Sequence, residues 1–384
     1  MKITLIKFFS SRLNQIFSII STVFPNILLL ILGNYFSFDE KNYYSQSMSL
    51  MFIYLLTGNW MGLQDFLLLG RLDKQSVVKR FFIDGISIFL CSMLFIFIID
   101  DTSIDTILLP FISIISYVLF FLVGLIRTNG RYFFSAVIMV FLSPLITYAW
   151  FVSSVSLLFI VLIIEFILIY ILLFYNNNLI SDNANRNLFS SHNLVLYFSA
   201  FVSAILFGEI DKYILSIAKS SELGFYYSTL NFIITLPLLF YVCSMSYLVN
   251  YYKKNGFVSG INTLHFSLYI FLFISLIYSF FFEEGEYFDI EGILMIATIF
   301  FKVFAAANMM PYVVTLYACD KYRAIVLYNY VVGLIQLTIS LFLFFSFSPY
   351  IIISIGKVLS GITIIVYLFY FKKYLQHSLG ITVN

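Results

Sequence analysis

The chain is an almost unbroken series of apolar segments, each long enough to form a helix of about 20 residues, separated by short polar loops. A helix of that length crosses a hydrocarbon layer of roughly 30 Å, where every backbone N–H and C=O must find its partner inside the protein. Only helices and closed barrels meet this demand, and a barrel strand needs only about 9–11 residues. Segments of this length therefore specify helices.

Twelve spans are expected: Gln15 to Phe36, Ser45 to Gly70, Phe81 to Ile99, Ile107 to Ile126, Tyr132 to Val152, Leu157 to Tyr175, Leu194 to Ala218, Leu223 to Val249, Thr263 to Phe282, Ile290 to Ala318, Ala324 to Phe347 and Tyr350 to Phe371. The longest polar connection, 176–193, divides them six and six. The expected fold is an all-α integral membrane protein with an N-terminal six-helix bundle over 1–175, a cytoplasmic linker over 176–193 and a C-terminal six-helix bundle over 194–384. Tyr43-Tyr44-Ser45 after the first span recurs as Tyr226-Tyr227-Ser228 after the seventh. That placement favours two parallel pseudo-repeats, related by an axis along the membrane normal, around a central cavity.

With 62% hydrophobic and only 10% charged residues, a soluble domain is excluded. Lys and Arg nearly balance Asp and Glu, so the net charge of +2 gives no case for a nucleic-acid partner. The placement of charge is informative. Sixteen Lys and Arg residues fall at the N-terminus, the C-terminal end and alternate loops, whereas the opposite side holds only Lys41 and Lys219 among acidic loops such as FDEKN and EEGEYFDIE. Basic residues in short loops stay inside, so both termini are expected to be cytoplasmic. Lys2, Lys7 and Arg12 ahead of the first apolar run suggest a signal peptide, but the run is too long and lacks a small-residue cleavage site. It is expected to be retained as the first span.

Cys91, Cys243 and Cys319 form no CxxC, and His192, His265 and His377 are scattered. Neither a metal site nor a cofactor or nucleophilic triad is expected. No loop is long enough for a soluble catalytic domain, so function must reside between the helices.

Ionisable residues within spans are costly and mark cavities or paired sites. Lys302 has Thr298, Ala305 and Ala306 as helical neighbours and is expected to face the bundle interior; Lys357 shares a face with Ser354, Ser360 and Gly361. Two readings stay open for these lysines: a cationic cavity for a phosphate or pyrophosphate, or interhelical pairing with Glu165 or Asp211. Glu165 stands alone in an aliphatic span, either as a proton or cation site or as the partner of a lysine. Asp65 and Asp84 lie near the inner ends of their helices, where side chains reach water. These two, like Glu209 and Lys212 at i, i+3, are read as solvated or paired. Polar stripes run along the first span (Gln15, Ser18, Thr22, Asn26) and the eleventh (Asn329, Gly333, Gln336, Ser340), and a small-residue stripe on the seventh leads to Asp211. Such stripes serve close packing or line a cavity. Pro25, Pro144, Pro237 and Pro311 fall inside spans and provide places for kinks.

The stretch EIDKYILSIAKSSELGFYYSTLNFI resembles the Wzx-type polysaccharide flippases of the multidrug/oligosaccharidyl-lipid/polysaccharide exporter superfamily, through Asp211, Lys212, Leu223, Gly224, Tyr226 and Tyr227. GLQDFLLLGRLDK, closing the second span, is similar to the same family's segment, whereas FDEKNYY lacks the glycine usual before the tyrosine. The resemblance implies an alternating-access transporter, not an enzyme, in the bacterial inner membrane. It implies an undecaprenyl-diphosphate-linked oligosaccharide as cargo, surrounding membrane lipids, and other polysaccharide-assembly membrane proteins as partners. On that reading Lys302 and Lys357, with Asn26 and Gln336, contact the substrate, and Glu165 and Asp211 couple an ion. Two rivals remain. A polysaccharide polymerase or ligase would carry a large external loop, which is lacking here; a drug exporter of the same superfamily would favour acidic rather than basic cavity residues.

Overall fold

The computed structural model describes residues 74–99, 104–128, 130–152, 154–175, 260–281, 290–319, 321–345 and 347–379, together with 13–21, 233–238 and isolated positions that include Asp211 and Leu230. The described residues are almost entirely helical. The chain divides into two compact units, Met1–Phe201 and Val202–Asn384. The linker expected over 176–193, the second span and Asn26 lie outside the described residues.

The first unit contains α1 (Lys74–Ile99), α2 (Ile104–Thr128), α3 (Tyr132–Phe151) and α4 (Val155–Tyr170), the last continuing as a wider π turn over Ile171–Tyr175. A helix that is apolar all round belongs inside a bundle or in lipid, and α2 takes the first course. Every residue from 115 to 127 is buried, under contact from α1, α3 and α4. Its Tyr117 and Phe121 rings meet Phe81 of α1 at 5.6 and 4.7 Å between centroids. Pro110 lies inside α2, and Pro144 inside α3. The α2–α3 turn is closed by Gly130, whose φ of +72° is costly for a side chain with a Cβ, and whose N–H donates to the Arg127 carbonyl at 2.8 Å. α4 is the most apolar helix and buries only the face carrying Leu158, Val161, Glu165 and Ile169. Its other faces expose Phe159, Ile160, Ile163 and Ile167, as a lipid-facing helix does.

One charged residue is narrowed by the structure and another corrected. Asp84, read as solvated or paired, is 0% exposed, because its face of α1 turns into the bundle, so the solvated alternative falls and the paired one stands. Arg127, expected in an inner loop, instead closes the last turn of α2, is buried, and donates from Nη2 to the Ser18 hydroxyl at 3.5 Å.

The second unit contains α5 (Gly260–Phe281), α6 (Ile290–Ala318), α7 (Tyr322–Ser340, tightening to a 3₁₀ turn over Leu341–Phe344) and α8 (Pro349–Leu379). The bounds of α6 coincide with the expected span. α7 leaves α-helical geometry earlier than the apolar run suggests, and α8 continues beyond Phe371 to Leu379. Among the described residues six helices are long and apolar enough to cross a membrane, three in each unit. The main packing seam of the second unit lies between α6 and α8, where Gly361 lets the helices approach until an added Cβ would stand 2.5 Å from the Phe301 ring and 3.4 Å from the Lys302 Cα. Close approach at glycine is how helices gain packing energy when lipid supplies no hydrophobic drive.

Gly361→Ala is therefore expected to destabilise the purified protein by about 1–3 kcal/mol, the usual cost of overpacking. Gly85→Ala, whose Cβ would meet Tyr117 at an ordinary 3.7 Å, is expected to be neutral or stabilising. Melting temperatures in detergent separate the two.

Candidate functional site

Three helices of the second unit bring polar side chains into its interior. α6 carries Lys302 between the buried Ile299 and Ala306, and α7 carries Gln336 and Ser340 on the buried side of its stripe. α8 carries Ser354, Lys357, Ser360 and Gly361 on one buried face. The stripe-forming spacings of the sequence are thus turned inward, away from lipid.

Lys302 Nζ donates to Gln336 Oε1, linking α6 to α7. Lys357 Nζ forms an ion pair with Asp211 Oδ2 at 2.6 Å, with both side chains almost fully buried. Interhelical pairing was one of the two readings open for these lysines, and Asp211 one of its two named acids. Lys302 is joined to an amide, a partner the sequence did not suggest. Among the described residues, two lysines and one aspartate meet in this part of the second unit.

Around the pairs stand buried polar atoms without a hydrogen-bond partner among the described residues: Gln336 Nε2, Ser354 Oγ and Ser360 Oγ. Several helical hydroxyls elsewhere bond back to the preceding turn, as Ser92, Ser143, Thr147, Thr315 and Thr363 do at 2.8 Å, whereas Ser116 of α2 does not. Among the described residues Ser354 and Ser360 find no such bond, although Thr363 on the same helix does. A buried hydroxyl without a partner costs about 1–3 kcal/mol, so the arrangement suits a ligand able to complete these bonds.

In the first unit Glu165 is 0% exposed, within the apolar face of α4, and neither carboxylate oxygen has a hydrogen-bond partner among the described residues. Leu158, Val161 and Ile169 share its face. Gln15 and Ser18 of the first span are buried as well. Asp65, Glu209 and Lys212 lie outside the described residues, and no cluster of His, Cys, Asp or Glu able to hold a metal occurs among those described.

No protein-family profile and no curated protein sequence matches the chain. Two solved structures do match in fold. The crystal structure of a MATE mutant superposes with a TM-score of 0.59 over 94% of this chain and 96% of that one, at 11% identity. MATE in complex with MaL6 gives 0.55 over 94% and 95%, at 12% identity. Nearly the whole chain therefore shares the MATE fold.

Removing one member of a buried ion pair strands the other, at a cost of about 3–5 kcal/mol. Lys357→Ala is expected to lower the melting temperature sharply, and Asp211→Ala combined with Lys357→Ala to lower it by much less than the two single changes together. Additive losses in this double-mutant cycle would show that the pair is not formed.

Proposed function

We propose that this chain is an alternating-access membrane transporter that moves a diphosphate-linked oligosaccharide lipid from the cytoplasmic to the outer leaflet of a bacterial inner membrane, with both termini cytoplasmic. The MATE-type fold supports the transporter reading, since MATE proteins belong to the exporter superfamily that the sequence resembles. The observation that carries the choice of cargo is the pair of buried lysines, set among hydroxyl and amide groups that have no hydrogen-bond partner among the described residues. A cation surrounded by hydrogen-bonding groups suits a phosphate oxygen, and aromatic side chains, at 20% of the chain, offer faces on which sugars stack.

The Lys357–Asp211 pair gives this reading a specific consequence. An incoming phosphate that engages Lys357 competes with Asp211 for the same ammonium group. Asp211, its lysine drawn away, is a carboxylate in a low-dielectric interior that gains from taking up a proton or a metal cation. Substrate and coupling ion then favour one another's binding, because both draw on the same broken pair. Lys302, held by a neutral amide, engages the anion without such an exchange. Asn26, Gln336 and Glu165 keep the roles that the resemblance implies, as substrate contacts and as a second coupling carboxylate.

A drug exporter has one observation in its favour, the buried acid Glu165, whose carboxylate has no hydrogen-bond partner among the described residues and suits a cationic ligand. The two readings part on substrate charge. Reconstituted in proteoliposomes, the protein is expected to translocate a polyprenyl-diphosphate saccharide and not a lipophilic cation, with Lys302→Gln and Lys357→Gln each lowering the rate at least about tenfold. Unchanged rates in both variants would reject the assignment of these lysines. Asp211→Asn is expected to raise affinity for the diphosphate by about fivefold or more and to remove its dependence on coupling cation, a linkage of ordinary size. Retained cation dependence would place coupling elsewhere, with Glu165→Gln the variant expected to abolish it.

A further inference from the structure

The last two turns of α8 are the part of the helix that outruns the apolar span, and they carry a distinct surface. Along one side of α8, Ile355, Leu359, Ile362, Val366 and Phe369 are exposed at alternating intervals of three and four residues, the track of a single helix face. Lys357 lies on the buried side of the same helix, so this face is separate from the buried pairs. At the same spacing the stripe passes from Val366 into Tyr370, Lys373 and His377, all exposed. Tyr374 stacks on Tyr370 with ring centroids 6.3 Å apart and planes 17° from parallel. Among the described residues, Tyr370, Lys373, Tyr374 and His377 line an open recess of about 380 Å³ whose walls are almost wholly apolar, with rings and alkyl stems facing it and the polar tips of Lys373 and His377 left to its rim.

The order of chemistry along this face is that of a phospholipid. An exposed apolar stripe on a spanning helix contacts acyl chains; tyrosine rings, apolar in body and polar at the tip, sit at headgroup level; a lysine beyond them reaches a phosphate. α8 contains no Asp or Glu, while Lys372 and Lys373 adjoin, so the charge that this helix itself contributes is of one sign. The geometry points to a site for an anionic phospholipid: its phosphate at Lys373 and His377, its glycerol region beside the Tyr370–Tyr374 stack, and an acyl chain along the stripe towards Ile355. Lys373 and His377 hold the phosphate in place, while the stripe and the rings distinguish a lipid from a bare anion. The site does not depend on the transported substrate.

The full-length protein in detergent, given phosphatidylglycerol or phosphatidylcholine and weighed intact by native mass spectrometry, tests this. Phosphatidylglycerol is expected to be retained about fivefold over phosphatidylcholine, the preference that one basic side chain near a membrane surface supplies. Lys373→Gln is expected to bring the ratio to parity, whereas Lys372→Gln, which removes the same charge outside the recess, preserves it. Tyr374→Ser, which leaves every charge in place, is expected to weaken retention of phosphatidylglycerol. A preference that survives Lys373→Gln, or falls equally in Lys372→Gln, overturns the site. Displacement of the lipid by millimolar inorganic phosphate would overturn the lipid assignment in favour of a bare anion site.

Discussion

A charge enclosed by membrane-spanning helices has no water to lean on, so the protein must either pair it, hydrogen-bond it or give it work to do. The second unit applies the first two remedies side by side. Lys357 is neutralised by Asp211, and Lys302 is held by the carbonyl oxygen of Gln336. The packing follows from this requirement, since the polar faces of α6, α7 and α8 must turn towards one another, and Gly361 removes the side chain that would hold α6 and α8 apart. The aliphatic faces are then left to lipid. Glu165 in the first unit has neither remedy among the described residues, which makes it the group whose burial most needs a functional reason.

Much of this arrangement was legible in the sequence because hydrocarbon imposes a simple rule on length and polarity. The bounds of α6 coincide with its apolar run, and the inward placement of Lys302 follows from Thr298, Ala305 and Ala306 being its helical neighbours. The end of α8 was not legible. Apolarity ends at Phe371, yet a helix outside the bilayer needs only good helix formers to continue, and Lys372, Lys373, Leu375 and Gln376 are such residues. Arg127 was misplaced, and the two readings of Asp84 stayed unresolved, for a related reason: position near a helix end says how far a side chain must reach for water, not whether a neighbouring helix stands in the way. Partners are a tertiary property. The sequence offered Glu165 and Asp211 as acids for the lysines, and only the fold distinguishes between them.

Pairing also changes what the lysines are able to do. Two free cations would make a strong but unselective anion trap, whereas a pair beside an amide-held lysine offers one readily available charge and one that must be exchanged. On the proposed reading, that difference lets binding of cargo and binding of a coupling ion depend on each other without any direct contact between them. The hydroxyls of Ser354 and Ser360, without a hydrogen-bond partner among the described residues, extend the same buried polar face with neutral donors and acceptors.

The central claim is that the chain carries a lipid-linked anionic saccharide outward across the membrane, and the most direct test is the leaflet in which that lipid collects when the protein is removed from the cell that makes it. The account predicts accumulation in the cytoplasmic leaflet, inaccessible to an impermeant reagent added outside. Accumulation of single saccharide units in the outer leaflet would contradict it, placing the missing step after translocation.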